Sequence, residues 1–331
     1  MSTNGYPPAA ATTSQFREHA FEALREQARP RHRYWLHALL FLLTILTTTV
    51  VGAELSNSFY DGRPFDLNKD FEGYTRIWHN PLYLIDGLPF SLTLLLILLA
   101  HEMGHYLAGR YYGVNVTLPF FIPAPTLIGT LGAFIRIRSP IIARRILFDI
   151  GIAGPIAGFI TLLVPLVVGI SLSKPVAWTV PRGDLIFGTP PILRALEWMI
   201  FRHTDTSHLY LHPVARAAWV GLLATALNLL PIGQLDGGHI LYSFVGERTK
   251  FLSRLFVVAL AVLGVTLLFT SAYPAGIMWL LWSVVMFFLG MRHPVIVDPT
   301  PLSPVRRWLG LAALIIFLLT FTLAPVQTAA S

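Results

Sequence analysis

The sequence predicts an all-α polytopic membrane protein of about six to seven transmembrane helices, with a small β-strand element at the cytoplasmic face between spans two and three. Hydrophobic residues make up 54% of the 331-residue chain and charged residues only 12%, where a soluble domain carries about 25% charged. Several apolar runs reach the roughly 20 residues that cross a bilayer as a helix. Between two of them, Ile135-Arg136-Ile137-Arg138 alternates with period two among turn residues, which reads as a strand.

The apolar runs fall at about 35–53, 87–109, 148–171, 214–231, 254–271, 275–291 and 308–325. The segments between them alternate in charge. Residues 17–33 are rich in arginine, 54–86 are acidic on balance, and Arg136, Arg138, Arg144 and Arg145 follow the second run. Arg248, Lys250 and Arg254 follow the fourth, and Arg292, Arg306 and Arg307 precede the last. The positive-inside rule puts these basic segments in the cytoplasm, with the N-terminus inside and the C-terminus outside. A bacterial inner (plasma) membrane is the expected location, an organelle membrane the alternative. FEALREQARPRHR suits either a short surface helix or a disordered tail, and Val51 and Ala53 resemble a cleavage site after a run long enough to stay as an anchor.

Composition also excludes chemistry. The chain has no cysteine, so disulfides, thiolate ligands and a cysteine nucleophile are ruled out. Its net charge of +7 is scattered through loops, which argues for orientation in a membrane and against nucleic-acid binding.

Against that background LILLAHEMGHYLAGRYYG (96–113) stands out, because ionisable groups at bilayer depth are costly and mark function by default. His101 and His105 are one helical turn apart on one face, so both imidazoles can bind one metal. Glu102 is about 100° round the helix from His101, placed to act as a base without being a ligand. The bland reading is two histidines satisfied by neighbouring groups. A catalytic zinc site needs three protein ligands and an open position. Among the acidic residues only Glu102 and Asp236 lie deep beside apolar spans, with Asp149 at a border. Asp236 sits in ALNLLPIGQLDGGHI (226–240), where Pro231 and Gly233 break the fourth span. Counting about 1.5 Å per residue from the outer face puts His101 roughly 20 Å deep, with Asn228 at a similar depth and Asp236 slightly further in. The competing reading of Asp236 is a turn acid before a glycine pair.

HEMGH with NLLPIGQLDGG two spans later resembles the site-2 protease family of intramembrane zinc metalloproteases, and FDIGIAGPIAGF (148–159) resembles that family's glycine-rich third helix, packed between the two metal-bearing helices. The resemblance covers about 87–246. It implies one Zn2+ per chain held by His101, His105 and Asp236, Glu102 as catalytic acid/base, and Asn228 as a substrate-contacting or transition-state residue. It implies membrane-anchored, single-span protein substrates within a lipid bilayer; because a helix hides its carbonyls in hydrogen bonds, substrates are expected to carry helix-breaking residues near the cut. Many bacterial members carry a PDZ domain between the third and fourth helices, for which the loop at 172–213 is too short.

The chain then divides into a cytoplasmic tail (1–33), a first helix with its external loop (34–86), a three-helix catalytic core with inner-face strands and external loop (87–246) and C-terminal transmembrane helices (247–331). The strand at 135–138 could receive an unwound substrate by strand addition, seal the inner face, or touch anionic lipid. His208 and His212 have i, i+4 spacing without an acid between them, a weak signal for an accessory metal; His239 reads as a partner of the ligand segment or a plain helix residue. Two other functions stay open: a membrane zincin acting on soluble tails, such as a prenyl-protein protease, and a non-proteolytic ion-binding protein or transporter using the same cluster. The absence of internal repeats and the presence of Glu102 argue against the last.

Overall fold

The computed structural model describes residues 33–62, 79–175, 185–202, 209–289, 296, 298 and 300–328. The basic tail and most of the acidic loop, with their possible surface helix, lie outside these residues, as does His208.

Helix α1 (Tyr34–Tyr60) is followed by a 3-10 turn (Pro81–Gly87) that leads into α2 (Leu88–Tyr111). Strands β1 (Phe120–Pro123) and β2 (Thr130–Phe134) precede α3 (Arg144–Ser171). On the far side of α3 come β3 (Lys174–Pro175), β4 (Leu185–Phe187), α4 (Pro191–Ile200) and β5 (Leu209–Tyr210). Helices α5 (Pro213–Asn228), α6 (Asp236–Val245), α7 (Thr249–Leu267), α8 (Tyr273–Leu289) and α9 (Pro304–Thr320) follow, then β6 (Val326–Thr328). Four helical stretches are long and apolar enough to cross a membrane: Tyr34–Tyr60, Pro81–Tyr111, Arg144–Ser171 and Asp236–Leu267.

Close helix crossings use small residues, as expected where lipid offers no hydrophobic drive. At the crossing of α1 with the start of α2, a side chain on Gly87 would come within 1.9 Å of the Thr49 carbonyl. Below it Thr48 Oγ1 and Ser91 Oγ, both buried, meet at 2.7 Å. Along α2 the buried positions Phe90, Leu94, Leu98, His101 and His105 follow one stripe at steps of three and four, so the polar centre continues the apolar packing face.

The strand element corrects the sequence reading in placement. Regular pairing is antiparallel, with Phe120 opposite Phe134 and Phe121 opposite Ala133, so β2 precedes the Ile-Arg alternation. Residues 135–138 continue the hairpin only through a Val116–Ile137 bridge and backbone bonds to Asn115 and Thr117. The hairpin is not confined to one face either. Its base meets Gly109, while its tip, turned by Gly129 at φ 75°, receives the Thr47 hydroxyl of α1 at 2.6 Å. Leu127 and Ile128 there share a small apolar pocket with Phe90, Phe187 and Trp219. Gly109 and Phe90 are about 28 Å apart along α2, so the hairpin runs beside most of that helix. Its backbone is tolerated there because it is paired and packed against protein.

Contacts between distant segments sort the connections into two sides. On one, β4 pairs with β6, β3 with β5, and Thr328 bonds the Ser271 carbonyl between α7 and α8. On the other, Ala143 bridges Asp298 and Arg306 pairs with Asp149.

Candidate metal centre

Four elements deliver the site. His101, Glu102 and His105 come from the C-terminal half of α2; Asn228 ends α5; Asp236 starts α6, where its negative charge suits the helix N-terminus. Helix α3 packs against α2, α5 and α6. Between Asn228 and Asp236 the chain folds back on itself. A side chain on Gly237 would lie 2.1 Å from the Leu229 carbonyl, and one on Gly238 2.3 Å from the Gly233 carbonyl, so the glycine pair is what lets Asp236 reach the histidines. Ser253 of α7 pins this segment, accepting from the Gly233 N–H and donating to the Pro231 carbonyl, each at 3.2 Å.

Three donor atoms converge. His101 Nε2 and His105 Nε2 are 3.2 Å apart, and Asp236 Oδ2 is 3.2 Å from each. All three side chains are largely buried. His105 Nδ1 donates to the Ile150 carbonyl at 2.7 Å, which leaves its Nε2 as a lone pair. Asn228 Nδ2 donates to His101 Nε2 at 3.2 Å, marking that nitrogen as an acceptor too. Three acceptors packed edge to edge repel unless an electropositive centre sits among them. Their separation matches the edge of a tetrahedron with bonds of about 2.0 Å, roughly 3.3 Å, and two imidazoles plus a carboxylate form a catalytic-type zinc set. The residues therefore fit the ion, and they are the His/Asp cluster that could hold a metal among the described residues.

Glycines on α3 give the imidazoles room. A side chain on Gly154 would stand 2.1 Å from His105 Nε2, and one on Gly158 3.1 Å from His101 Cβ. The expected packing of the glycine-rich helix against both ligand-bearing elements is thus present, and Gly151 meets His239 of α6 in the same way. Glu102 is buried and, together with His101, His105 and Asp236, lines a cavity of about 200 Å³. Ala133, Phe134 and Ile135 of the hairpin form one wall of that cavity, Asn228, Gln234 and Asp236 another.

The chain belongs to peptidase family M50. The family's model matches residues 89–271, which include every residue of the triangle as well as Glu102 and Asn228. Among similar proteins, the probable zinc metalloprotease EGY1, chloroplastic, of Oryza sativa subsp. japonica is 31% identical over 317 residues, covering 89% of this chain and 51% of the relative. Its Arabidopsis thaliana counterpart is 32% identical over 311 residues, 89% and 53% respectively. The probable zinc metalloprotease EGY2, chloroplastic, of Arabidopsis thaliana is 30% identical over 249 residues, 73% and 42%. The chain spans about half the length of the curated relatives it matches. Their chloroplast location gives no support to the plasma membrane expected from the sequence.

The M50 site contains elements that residue patterns did not single out. Ile150 acts through its backbone carbonyl, which no side-chain motif announces, although the spacing of Gly151, Gly154 and Gly158 on one helix face could have pointed to the close approach. Gln234 faces the cavity from the broken segment. Of the second histidine pair, only His212 lies among the described residues. His212 caps α5, accepting from the Val214 N–H at 3.3 Å, and burial holds it below the usual histidine range.

Proposed function

We propose that this chain is an intramembrane zinc metalloprotease that hydrolyses peptide bonds in or near the transmembrane segments of membrane-anchored, single-span proteins. The convergence of His101, His105 and Asp236 at 3.2 Å, beside Glu102 and a cavity walled by a β-hairpin, carries the reading. The metal, when bound, supplies Lewis acidity toward a peptide carbonyl and lowers the pKa of water.

The protein's own groups do the rest. Glu102 is the base that accepts a proton from the attacking water and the acid that returns it to the departing amine. Asn228, whose amide reaches the edge of the triangle, orients the scissile carbonyl. A helical substrate hides its carbonyls, so it must unwind first. The end of β2 that lines the cavity, at Ala133 and Phe134, the latter 47% exposed, accepts the unwound segment as an added strand. Substrates therefore carry Gly, Pro or polar residues near the cut.

Seven crossings follow if α5, α7, α8 and α9 each span with the three longer helices before them, and α6 ends at the basic side. The relatives' location supports an organelle membrane as the setting. A comparison of membrane proteomes from cells carrying the native chain or Glu102→Gln tests the proposal. Short membrane stubs of a few single-span proteins accumulate in the variant if it holds. Identical proteomes under every stress condition tried favour ion binding without proteolysis.

A further inference from the structure

Helix α9 lies beyond residues 89–271 that match the family, yet its first turn reaches into the support of the metal centre. Arg306 grips Asp149 of α3 with two bonds, Nε to Oδ1 at 2.9 Å and Nη2 to Oδ2 at 2.7 Å. Tyr112, which caps the C-terminal end of α2, donates its hydroxyl to the same Oδ2 and lies 3.4 Å from Arg306 Nη2. One carboxylate therefore ties together the inner ends of α2, α3 and α9. Paired arginine–carboxylate bonds fix orientation as well as distance. The side chains of Arg306 and Asp149 are 27% and 19% exposed, so solvent screens the pair only in part.

What this knot holds is specific. The residue after Asp149 is Ile150, whose carbonyl receives His105 Nδ1 at 2.7 Å. Tyr112 lies about two turns beyond His105 on α2. A closed path thus runs from His105 along α2 to Tyr112, across to Asp149, to Ile150 and back to the imidazole. We propose that Arg306, Asp149 and Tyr112 are positioning residues of the metal centre. They set the spacing of α2 and α3 that aims His105 Nε2, so α9 belongs to the working site although it lies outside the family match. The proposal rests on the metal-centre reading above.

Zinc affinity of the purified full chain in detergent, measured by competition with a chelator of known affinity, tests it separately from proteolysis. Asp149→Asn and Arg306→Gln each weaken zinc binding about tenfold, the scale on which partners that orient a ligand act. The double variant is no weaker than the worse single one, because both changes open the same knot. Arg306→Lys, which keeps the charge but not the two-armed grip, falls between. Arg307→Gln, whose Nε bonds only the Leu302 carbonyl among the contacts seen, leaves affinity unchanged. Variants that melt earlier but bind zinc as tightly when folded would reduce the knot to a stabilising contact and overturn the proposal. If the unsubstituted chain binds no zinc, the underlying reading fails and takes the proposal with it.

Discussion

Replacing Gly154 with alanine tests the geometry of the metal centre with a single methyl group. On an open helix face that change would stabilise the helix by about 1 kcal/mol. Here the new carbon would stand 2.1 Å from His105 Nε2 and 2.5 Å from both Cδ2 and Cε1. Ordinary carbon contacts need roughly 3.5 Å, so ring or helix must move by more than 1 Å, roughly the gap between those distances. The ring cannot yield freely, because Nδ1 is held at 2.7 Å by the Ile150 carbonyl and Nε2 is one corner of the 3.2 Å triangle. Overpacking of this kind costs about 1–3 kcal/mol, more than the helix gain. The expected result is a folded protein in detergent that melts earlier and binds zinc at least about 100-fold more weakly, the upper end of what disturbing a ligand's support costs. Gly158→Ala, whose added carbon meets His101 Cβ at 3.1 Å and needs only a few tenths of an ångström, should lose markedly less. Zinc titration of both variants reads the difference. A Gly154→Ala protein with native zinc affinity would refute the placement of α3 against His105.

Stripping the metal with phenanthroline should abolish cleavage and added zinc should restore it, since His101, His105 and Asp236 bring three acceptor atoms within 3.2 Å of one another; activity that survives with no measurable metal contradicts the assignment. Asn228→Ala should keep stoichiometric zinc but lower the rate constant about 100-fold, the cost of losing one oriented polar group at a reacting carbonyl; loss of zinc instead would make Asn228 a structural prop of His101. On the side of the connections around α4, burial pushes Glu197 up to about 7. Its folded value lies above its unfolded one, so the penalty is absent below about pH 4.5, grows as pH rises and is complete above about 7, at roughly 1.4 kcal/mol per unit of difference. Glu197→Gln should therefore raise the melting temperature at pH 8 by an amount worth about 1–3 kcal/mol and leave it unchanged at pH 4.5; equal effects at both pH values would exclude an ionisation cause.

The residues of the triangle were legible because each rests on a short-range rule. Helical periodicity puts His101 and His105 on one face, and counting along α2 and α5 brings Asn228 and Asp236 to the same depth. Bilayer physics then makes an isolated Glu102 hard to explain without a partner. The hairpin was only half legible. Its paired part, Phe120–Pro123 with Thr130–Phe134, mixes apolar residues with Thr130, Gly132 and Pro123 and has no period-two pattern, which surfaces only at Ile135–Arg138 just beyond it. Long-range bonds left no local trace. Nothing around Arg306 announces Asp149, and a carbonyl such as that of Ile150 is invisible in any residue pattern. The fourth apolar run was read through to 231, whereas α5 ends at Asn228; the break predicted from Pro231 acts a turn early, because a residue before proline already avoids helical geometry and the chain must double back over Gly237 and Gly238.

Glu102→Gln separates metal binding from catalysis most directly. The purified native and variant chains would be assayed together for bound zinc and for cleavage of a single-span segment carrying a Gly-Pro break in its inner half. The account predicts one zinc in both proteins, cut substrate from the native chain alone, and a loss of at least about 100-fold in the variant. Cleavage by the variant at the native rate, or a native chain that cuts without zinc, would contradict it.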